Sequence, residues 1–76
     1  MATEEWEVGS VYVYGVNYSC YFTKGGSILR VYYKVKEDRC VFEVFGDAYD
    51  FSRSERDEIV ERAKLAIAAR RLTDAG

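Results

Sequence analysis

Few side chains in this sequence could take part in chemistry, and its two cysteines are the first to consider. Cys20 and Cys40 stand in a chain of 76 residues that contains no histidine. Histidine is the usual general base for a thiol, and two cysteines are too few for a zinc site, so neither nucleophilic catalysis nor zinc binding is indicated. The two thiols could lie close enough to bridge, but two small buried thiols are the expected state in a cytoplasmic chain. We therefore predict that the protein is not an enzyme and binds no cofactor.

Three acidic residues, Asp47, Asp50 and Asp57, are the other candidates for chemistry. Clustered carboxylates can bind a cation, but this spacing matches no EF-hand-like loop. Acidic residues are common in turns and in the first turn of a helix, which explains all three positions without an ion. The sequence therefore predicts no metal.

Tyrosine is the most unusual part of the composition, with seven tyrosines against four phenylalanines. The tyrosine ring is apolar with a polar tip, which suits a half-exposed position at an interface. The simpler explanation for the abundance of tyrosine is its high propensity for β-strands. Several tyrosines fall at alternating positions that place them on one face together with basic and apolar side chains. The predicted partner-binding residues on this face are Tyr12, Tyr14, Tyr21, Arg30, Tyr32, Lys34 and Phe45.

These side chains must be positioned by β-strands, because polar and apolar residues alternate with a period of two through residues 6–46. Near Gly15 the chain either reverses or forms a bulge within one long strand. Adjacent glycines within residues 24–27 predict a hairpin, and Glu37 and Asp38 predict a polar turn. The predicted inward-facing set is Val16, Tyr18, Cys20, Phe22, Leu29, Val31, Tyr33, Val35, Cys40, Phe42 and Val44.

The period changes to about 3.6 residues from Ser52 onward, which predicts a helix. Ser52 and Glu55 form a capping-box pattern at its start. We predict a helix over residues 52–72, with flexible ends at residues 1–5 and 73–76. Its core-facing arc is predicted to comprise Ile59, Val60, Ala63, Ala66 and Ile67. The predicted fold is α+β: a single domain of residues 1–76 in which a three- to four-stranded antiparallel meander is covered on one face by one C-terminal helix.

Two leucines of this helix, Leu65 and Leu72, fall outside the core-facing arc and are seven residues apart. Heptad spacing of this kind is typical of a helix contact between subunits, although isolated exposed leucines are common. A chain of this length also buries only a modest core, which favours a partner subunit. We therefore predict a homodimer that associates through Leu65 and Leu72.

The balance of charge narrows the possible partners. Eleven Lys and Arg residues against thirteen Asp and Glu residues give a net charge of −2. A protein that binds phosphate backbones normally carries an excess of basic residues, so this charge makes a nucleic-acid partner less favoured. A helix that crosses a bilayer needs an apolar run of about 18 to 20 residues, and the sequence contains no such run. The acidic N-terminus is unlike a secretory signal, so we expect a cytoplasmic protein with no membrane partner.

The tyrosine-rich face is the feature that points most directly to function. A single helix covers one side of a small sheet, so the other side faces water or a partner. We predict a non-enzymatic protein-interaction module; the alternative is a nucleic-acid-binding domain in which the same rings stack on unpaired bases. Compact chains of this design are similar to small stoichiometric inhibitors of host proteins, including phage anti-defence proteins of the anti-CRISPR type.

Overall fold

Four antiparallel strands in chain order form one sheet, and a single helix packs against it. This computed structural model describes residues 6–46 and 50–75. The elements are β1 (Glu7–Tyr14), β2 (Asn17–Lys24), β3 (Ser27–Lys34), β4 (Arg39–Phe45) and α1 (Arg53–Ala75). The predicted α+β meander with one covering helix is confirmed. The predicted flexible N-terminus, residues 1–5, and Asp47 lie outside the described residues.

Two tight hairpins connect the first three strands. Gly15 and Gly25 each occupy the first central position of a two-residue loop and have φ angles of 62° and 55°. A positive φ at that position alone is the pattern of a type II′ turn, which glycine adopts without steric cost and which matches the twist of the flanking strands. The chain therefore reverses at Gly15, and the sheet has four strands. The irregularity in β1 lies earlier, between Val8 and Val11, where the register with β2 shifts.

The turn at Gly15 shows that one residue predicted to face the core does not do so. Val16 was expected to face the core at the start of a strand, but it is the second residue of this turn and is 62% exposed. The other ten residues of the predicted inward-facing set are buried or half-buried. Because side chains alternate along a strand, this agreement fixes which face of the sheet each remaining residue occupies.

The core lies between the sheet and the inner side of α1. Fully buried side chains from β2, β3 and the helix meet there, and Ile59, Ala63 and Ile67 supply the helical part as predicted. Ala66 is half-buried and packs against the core as predicted, whereas Val60, which was also predicted to face the core, is half-buried and lines a shallow pocket beside Leu65. Trp6, which precedes β1, and Phe51, which precedes α1, were not assigned to the core; their ring centroids are 5.7 Å apart. These two rings close the end of the core at which the helix begins.

Both ends of α1 are held by hydrogen bonds. At the start, the Glu55 N–H donates to Ser52 Oγ at 3.2 Å and the Ser52 N–H donates to Glu55 Oε1 at 2.9 Å, so the predicted capping box is formed. The helix continues to Ala75, three residues beyond its predicted end. Near its C-terminus, Arg70 Nη1 donates to the Val11 carbonyl at 2.7 Å and ties the helix to the edge strand β1.

A small polar cluster joins α1 to the loop between β3 and β4. Asp38 has a φ of 49° in this loop and accepts a hydrogen bond of 2.7 Å from the Tyr33 hydroxyl. Lys64 Nζ lies 3.0 Å from the same carboxylate oxygen. The hydrogen bond from Tyr33, followed by the contacts with Lys64, lowers the pKa of Asp38 below its ordinary value of 3.8.

This cluster predicts an acid-dependent contribution to stability. A carboxylate whose pKa is lowered by folding stabilises the native state above its ordinary pKa, and the contribution is lost as the pH falls through the lowered value. Asp38→Asn should therefore reduce the free energy of unfolding at neutral pH, and the difference from wild type should shrink as the pH falls through the lowered pKa of Asp38. Urea denaturation across this range tests it. Glu37→Gln is the matched control in the same loop, because Glu37 makes only long ion pairs of 3.9 and 4.0 Å. A difference that is constant with pH would contradict the prediction.

Candidate functional site

The predicted partner-binding residues all lie on the side of the sheet opposite α1, which we call the open face. Cross-strand pairing places Tyr12 beside Ser19, Ser19 beside Tyr32, and Tyr21 beside Arg30. Five of the seven predicted residues form one continuous group, which we call the tyrosine cluster: Tyr12, Tyr14, Tyr21, Arg30 and Tyr32. Phe45 and Lys34 lie apart from it, near opposite ends of the sheet.

The four rings of the tyrosine cluster pack edge to face. The ring centroids of Tyr12 and Tyr21 are 5.5 Å apart with an interplanar angle of 83°, and those of Tyr14 and Tyr32 are 6.4 Å apart at 65°. Edge-to-face contacts of this kind favour a fixed arrangement of the rings. Tyr12 remains 50% exposed and Tyr14 46% exposed, so these two ordered rings still present about half their surface to solvent, whereas Tyr21 and Tyr32 are half-buried.

Arg30 lies at the centre of the tyrosine cluster. Its guanidinium carbon is 5.0 Å from the ring centroid of Tyr32 and 5.5 Å from that of Tyr14. Arg30 Nε donates to Ser19 Oγ at 3.2 Å, and Nη1 donates to Glu43 Oε1 at 3.1 Å. The sequence predicted Arg30 as an exposed cation, whereas the structure gives it two aromatic contacts, a neutral acceptor and a carboxylate. Arg30 therefore orders the cluster, and its charge is already balanced.

Ser19 and Asn17 hold parts of the tyrosine cluster through hydrogen bonds that the alternation of residues did not predict. Ser19 points to the open face yet is completely buried, because the surrounding rings and Arg30 cover it. Asn17 Nδ2 donates to the Tyr32 hydroxyl oxygen at 3.0 Å, while Asn17 Oδ1 accepts from the Val35 N–H at 3.1 Å. Asn17 thereby fixes the outer end of the Tyr32 ring to the backbone beyond β3.

A shallow groove borders the tyrosine cluster. It has a volume of about 450 Å³, and its lining includes Tyr12, Tyr14 and Tyr21. The remaining lining residues are Gly9, Ser10, Thr23 and Ile28. The irregular stretch of β1 contributes Gly9 and Ser10, so the shift in strand register helps to form the groove. It can hold one large side chain from a partner with its apolar part against three tyrosine rings.

The hydroxyl group of Tyr21, which lines the groove, stays protonated near neutral pH. Partial burial, followed by its hydrogen bond with Tyr14, raises the pKa of Tyr21 above its ordinary value of 10. A hydroxyl that remains protonated can both donate and accept a hydrogen bond. The groove therefore combines apolar ring surface with the protonated hydroxyl group of Tyr21.

Two other basic residues near the open face share one acidic neighbour, and Lys36, in the loop after β3, is exposed. Lys34 Nζ lies 4.0 Å from Glu37, and Arg39 lies 3.9 Å from the same residue. Phe45 is opposite Ile28 at the far end of the sheet, where both side chains are exposed. The structure thus separates Lys34 from the cluster, whereas Phe45 lies beside Ile28, which is one of the residues that line the groove.

The two cysteines lie on the core side of the sheet and are free. Cys20 on β2 pairs with Val31, and Cys40 on β4 pairs with Tyr33, so β3 runs between them. Two strand spacings amount to roughly 9 to 10 Å, whereas a disulfide needs Cα atoms within about 7 Å. Burial raises the pKa of the Cys20 thiol to about 11. Burial also raises the pKa of Cys40, so both thiols are protonated near neutral pH.

The described residues also bear on metal binding and on membrane insertion. Residues 6–46 and 50–75 contain no group of three or more Cys, Asp or Glu side chains arranged to hold a metal ion. Within the same part of the chain, α1 is too polar to cross a bilayer. Comparison with models of protein families, with curated proteins and with solved structures gives no match. Function must therefore be inferred from the geometry of the open face.

Proposed function

We propose that this protein is a non-enzymatic interaction module that binds a protein partner through the tyrosine cluster and the adjacent groove. The observation that carries the proposal is the arrangement of four tyrosine rings, two of them about half-exposed, around an arginine whose charge is balanced by Glu43. Rigid aromatic rings lose little conformational entropy on binding, and tyrosine and arginine are enriched among the residues that contribute most to protein interfaces.

The groove supports a defined mode of contact. A large side chain of the partner would enter beside Tyr12, Tyr14 and Tyr21, and the hydroxyl groups at its rim would satisfy polar atoms around that side chain. Such a module acts by occupying a surface of its partner. We propose this mode for the chain, in the manner of a stoichiometric inhibitor of a host protein such as a phage anti-defence protein.

The nucleic-acid alternative has weaker support from the same surface. Stacking of bases on tyrosine would need cations free to contact the phosphate backbone. Arg30 is paired with Glu43, Lys34 and Arg39 both lie near Glu37, and the net charge of the chain is −2. A neutral aromatic surface of this kind suits a protein partner better than a polyanion.

Substitution within the cluster tests the proposal. Wild type and a Tyr21→Ala variant are immobilised in parallel and exposed to extract of the native host, and retained proteins are identified by mass spectrometry. Truncating a central aromatic anchor should weaken binding of the true partner by about 1 to 4 kcal/mol. Leu65→Ala is the control, because Leu65 is an exposed apolar residue of α1, away from the open face. A partner retained equally by wild type and Tyr21→Ala would contradict binding through the cluster.

A salt titration separates the two classes of partner. Binding to random single-stranded DNA and RNA is measured by fluorescence anisotropy at increasing salt concentrations. We expect no appreciable binding at physiological salt. Tight binding that falls steeply with salt, through counterion release, and that is weakened by Lys34→Ala and Lys36→Ala would establish the nucleic-acid alternative instead.

A further inference from the structure

The outer side of β4 is an open strand edge. The sheet has the order β1-β2-β3-β4, so within residues 6–46 and 50–75 no strand pairs with the far side of β4. β4 pairs with β3 without interruption from Arg39 to Phe45, and its sequence contains neither proline nor lysine. A regular edge that lacks a bulge, proline and lysine is a template for pairing with a further strand.

The hairpins establish which backbone groups β4 directs outward. The residues that close a two-residue hairpin form a hydrogen-bonded pair, as Lys24 and Ser27 do, and such pairs alternate along an antiparallel ladder. Counted from this hairpin across β3, the N–H and C=O groups of Cys40, Phe42 and Val44 point away from β3. The outer edge of β4 therefore presents three successive sets of backbone donors and acceptors to another strand.

The opposite edge of the sheet, formed by β1, is protected. The same alternation, counted from the pairing of Tyr14 with Asn17, directs the Val11 carbonyl off this edge, and Arg70 Nη1 donates to it at 2.7 Å. The register of β1 also shifts between Val8 and Val11, which interrupts the edge. Of the two edges, β4 is the one suited to pair with another chain.

The helix leaves the core side of β4 partly uncovered. α1 packs mainly over β1, β2 and β3. Cys40, Phe42 and Val44 point toward the core but are only half-buried. The Arg56 guanidinium carbon lies 4.3 Å from the Phe42 ring centroid and covers part of this ring. A strand added beside β4 would cover more of these side chains.

A second copy of β4 fits this edge when it runs antiparallel about a two-fold axis at Val41. Cys40 of each chain then lies opposite Phe42 of the other, and these residues exchange the backbone hydrogen bonds that point outward. On the open face, Arg39 of each chain lies opposite Glu43 of the other. The Arg39 and Glu43 side chains are 60% and 52% exposed, so each is accessible to a partner.

Charge selects this register over its neighbours. An axis at Glu43 would set the two glutamates directly opposite each other, and an axis at Phe42 would place Glu43 opposite Val41. Opposite charges that face each other across antiparallel strands stabilise the pairing, whereas like charges destabilise it. With the axis at Val41, each Arg39 faces a Glu43, and symmetry makes this contact occur twice.

We propose that two copies of the protein pair through the outer edges of β4 and form one continuous sheet, to which each copy contributes its four strands. A two-fold axis perpendicular to the sheet keeps both helices on one side and both tyrosine clusters on the other. The pairing does not depend on what the open face binds. It uses a different surface from the predicted contact through Leu65 and Leu72, which are 68% and 76% exposed on α1.

A lysine at the axis tests the interface. Sedimentation equilibrium at tens of micromolar should find a wild-type dimer. Val41→Lys sets two positive charges together at the axis and should weaken association about tenfold or more. Val13→Lys is the matched control and should dimerise like wild type, because Val13 lies on the other edge strand and is 43% exposed, against 41% for Val41.

Two charge-reversal variants test the register. Arg39→Glu sets glutamate opposite glutamate twice, and Glu43→Arg sets arginine opposite arginine twice, so each variant alone should associate about tenfold or more weakly than wild type. In an equimolar mixture of the two variants, every Glu faces an Arg, so a heterodimer should form with most of the wild-type affinity. Circular dichroism checks that each variant is folded.

Amide hydrogen exchange measured by NMR tests the backbone pairing directly. The amides of Cys40 and Phe42 should exchange more slowly as the protein concentration rises through the range of dimerisation, whereas the amide of Val13 should not change. Each of four results would overturn the proposal: a wild-type monomer at about 100 μM, a dimer unaffected by Val41→Lys, no association in the mixture, or exchange at Cys40 and Phe42 that is independent of concentration. Loss of the dimer in a variant carrying Leu65→Ala and Leu72→Ala would also overturn it, because the contact would then lie on α1.

Discussion

Phe22→Ala is expected to reduce the free energy of unfolding by about 3 to 5 kcal/mol. The Phe22 ring is fully buried between the sheet and α1, and the Arg62 guanidinium carbon lies 5.2 Å from its centroid. Removing the ring sacrifices apolar burial and leaves a cavity under the helix. A domain of this size has a total stability of roughly 4 to 11 kcal/mol, so the substitution should remove a large share of it. Urea denaturation followed by tryptophan fluorescence measures the change.

Tyr12→Ala is the matched control for this prediction. Tyr12 is also an aromatic residue of the sheet, but it lies on the open face and is 50% exposed. Its replacement should cost about 1 kcal/mol, from partial burial and one ring contact. If Tyr12→Ala destabilised the protein as much as Phe22→Ala, the assignment of the two faces would be wrong, since a shift of one residue exchanges them.

Arg30→Ala is expected to lower the free energy of unfolding by about 1 to 3 kcal/mol, although it lies on the face away from the core. Ser19 is completely buried and would lose its partner for the hydroxyl group. The rings of Tyr14 and Tyr32 would lose a cation contact worth about 0.5 to 1 kcal/mol each. The near-ultraviolet circular dichroism of the tyrosines should fall at the same time, because the rings lose a common point of contact.

Two variants separate the roles of Arg30. Glu43→Gln removes only a partly exposed ion pair and should cost less than about 1 kcal/mol. Arg30→Lys keeps the positive charge but lacks the planar group that bonds Ser19 and lies over two rings, so it should recover little of the loss. An Arg30→Ala variant no less stable than Glu43→Gln would mean that Arg30 is a surface cation and does not order the cluster. Comparing partner binding across these variants would then relate order in the cluster to affinity.

The local pattern of residues in the sequence was sufficient to predict the strands and the helix and to assign residues to the two faces of the sheet. Side chains alternate along a strand, so Cys20, Phe22, Leu29 and Val31 could be assigned to the core from spacing alone, and the structure buries all four. The hairpin at Gly25 and the capping box at Ser52 depend on residues a few positions apart. Each of these features is determined by neighbours in the chain.

The turn at Gly15 marks the limit of such local information. A glycine within a β-rich run is compatible with a bulge or with a reversal, because both use its positive φ. Pairing of Tyr14 with Asn17 decides for the reversal, and it moves Val16 out of the core and into solvent. The choice depends on whether two long segments pair along their length, which spacing near the glycine does not encode.

The sequence by itself determined that tyrosines and basic residues share one face; the tertiary structure decided how they are arranged there. Only the pairing of β2 with β3 and of β3 with β4 brings Arg30 to Ser19 and Glu43. Tertiary packing also buries Ser19 on the open face, where alternation predicts exposure. It places β3 between the strands that carry the two cysteines. It also brings the rings of Trp6 and Phe51, which are far apart in the chain, into contact. Periodicity reports the direction of a side chain, whereas its partners depend on contacts between residues far apart in sequence.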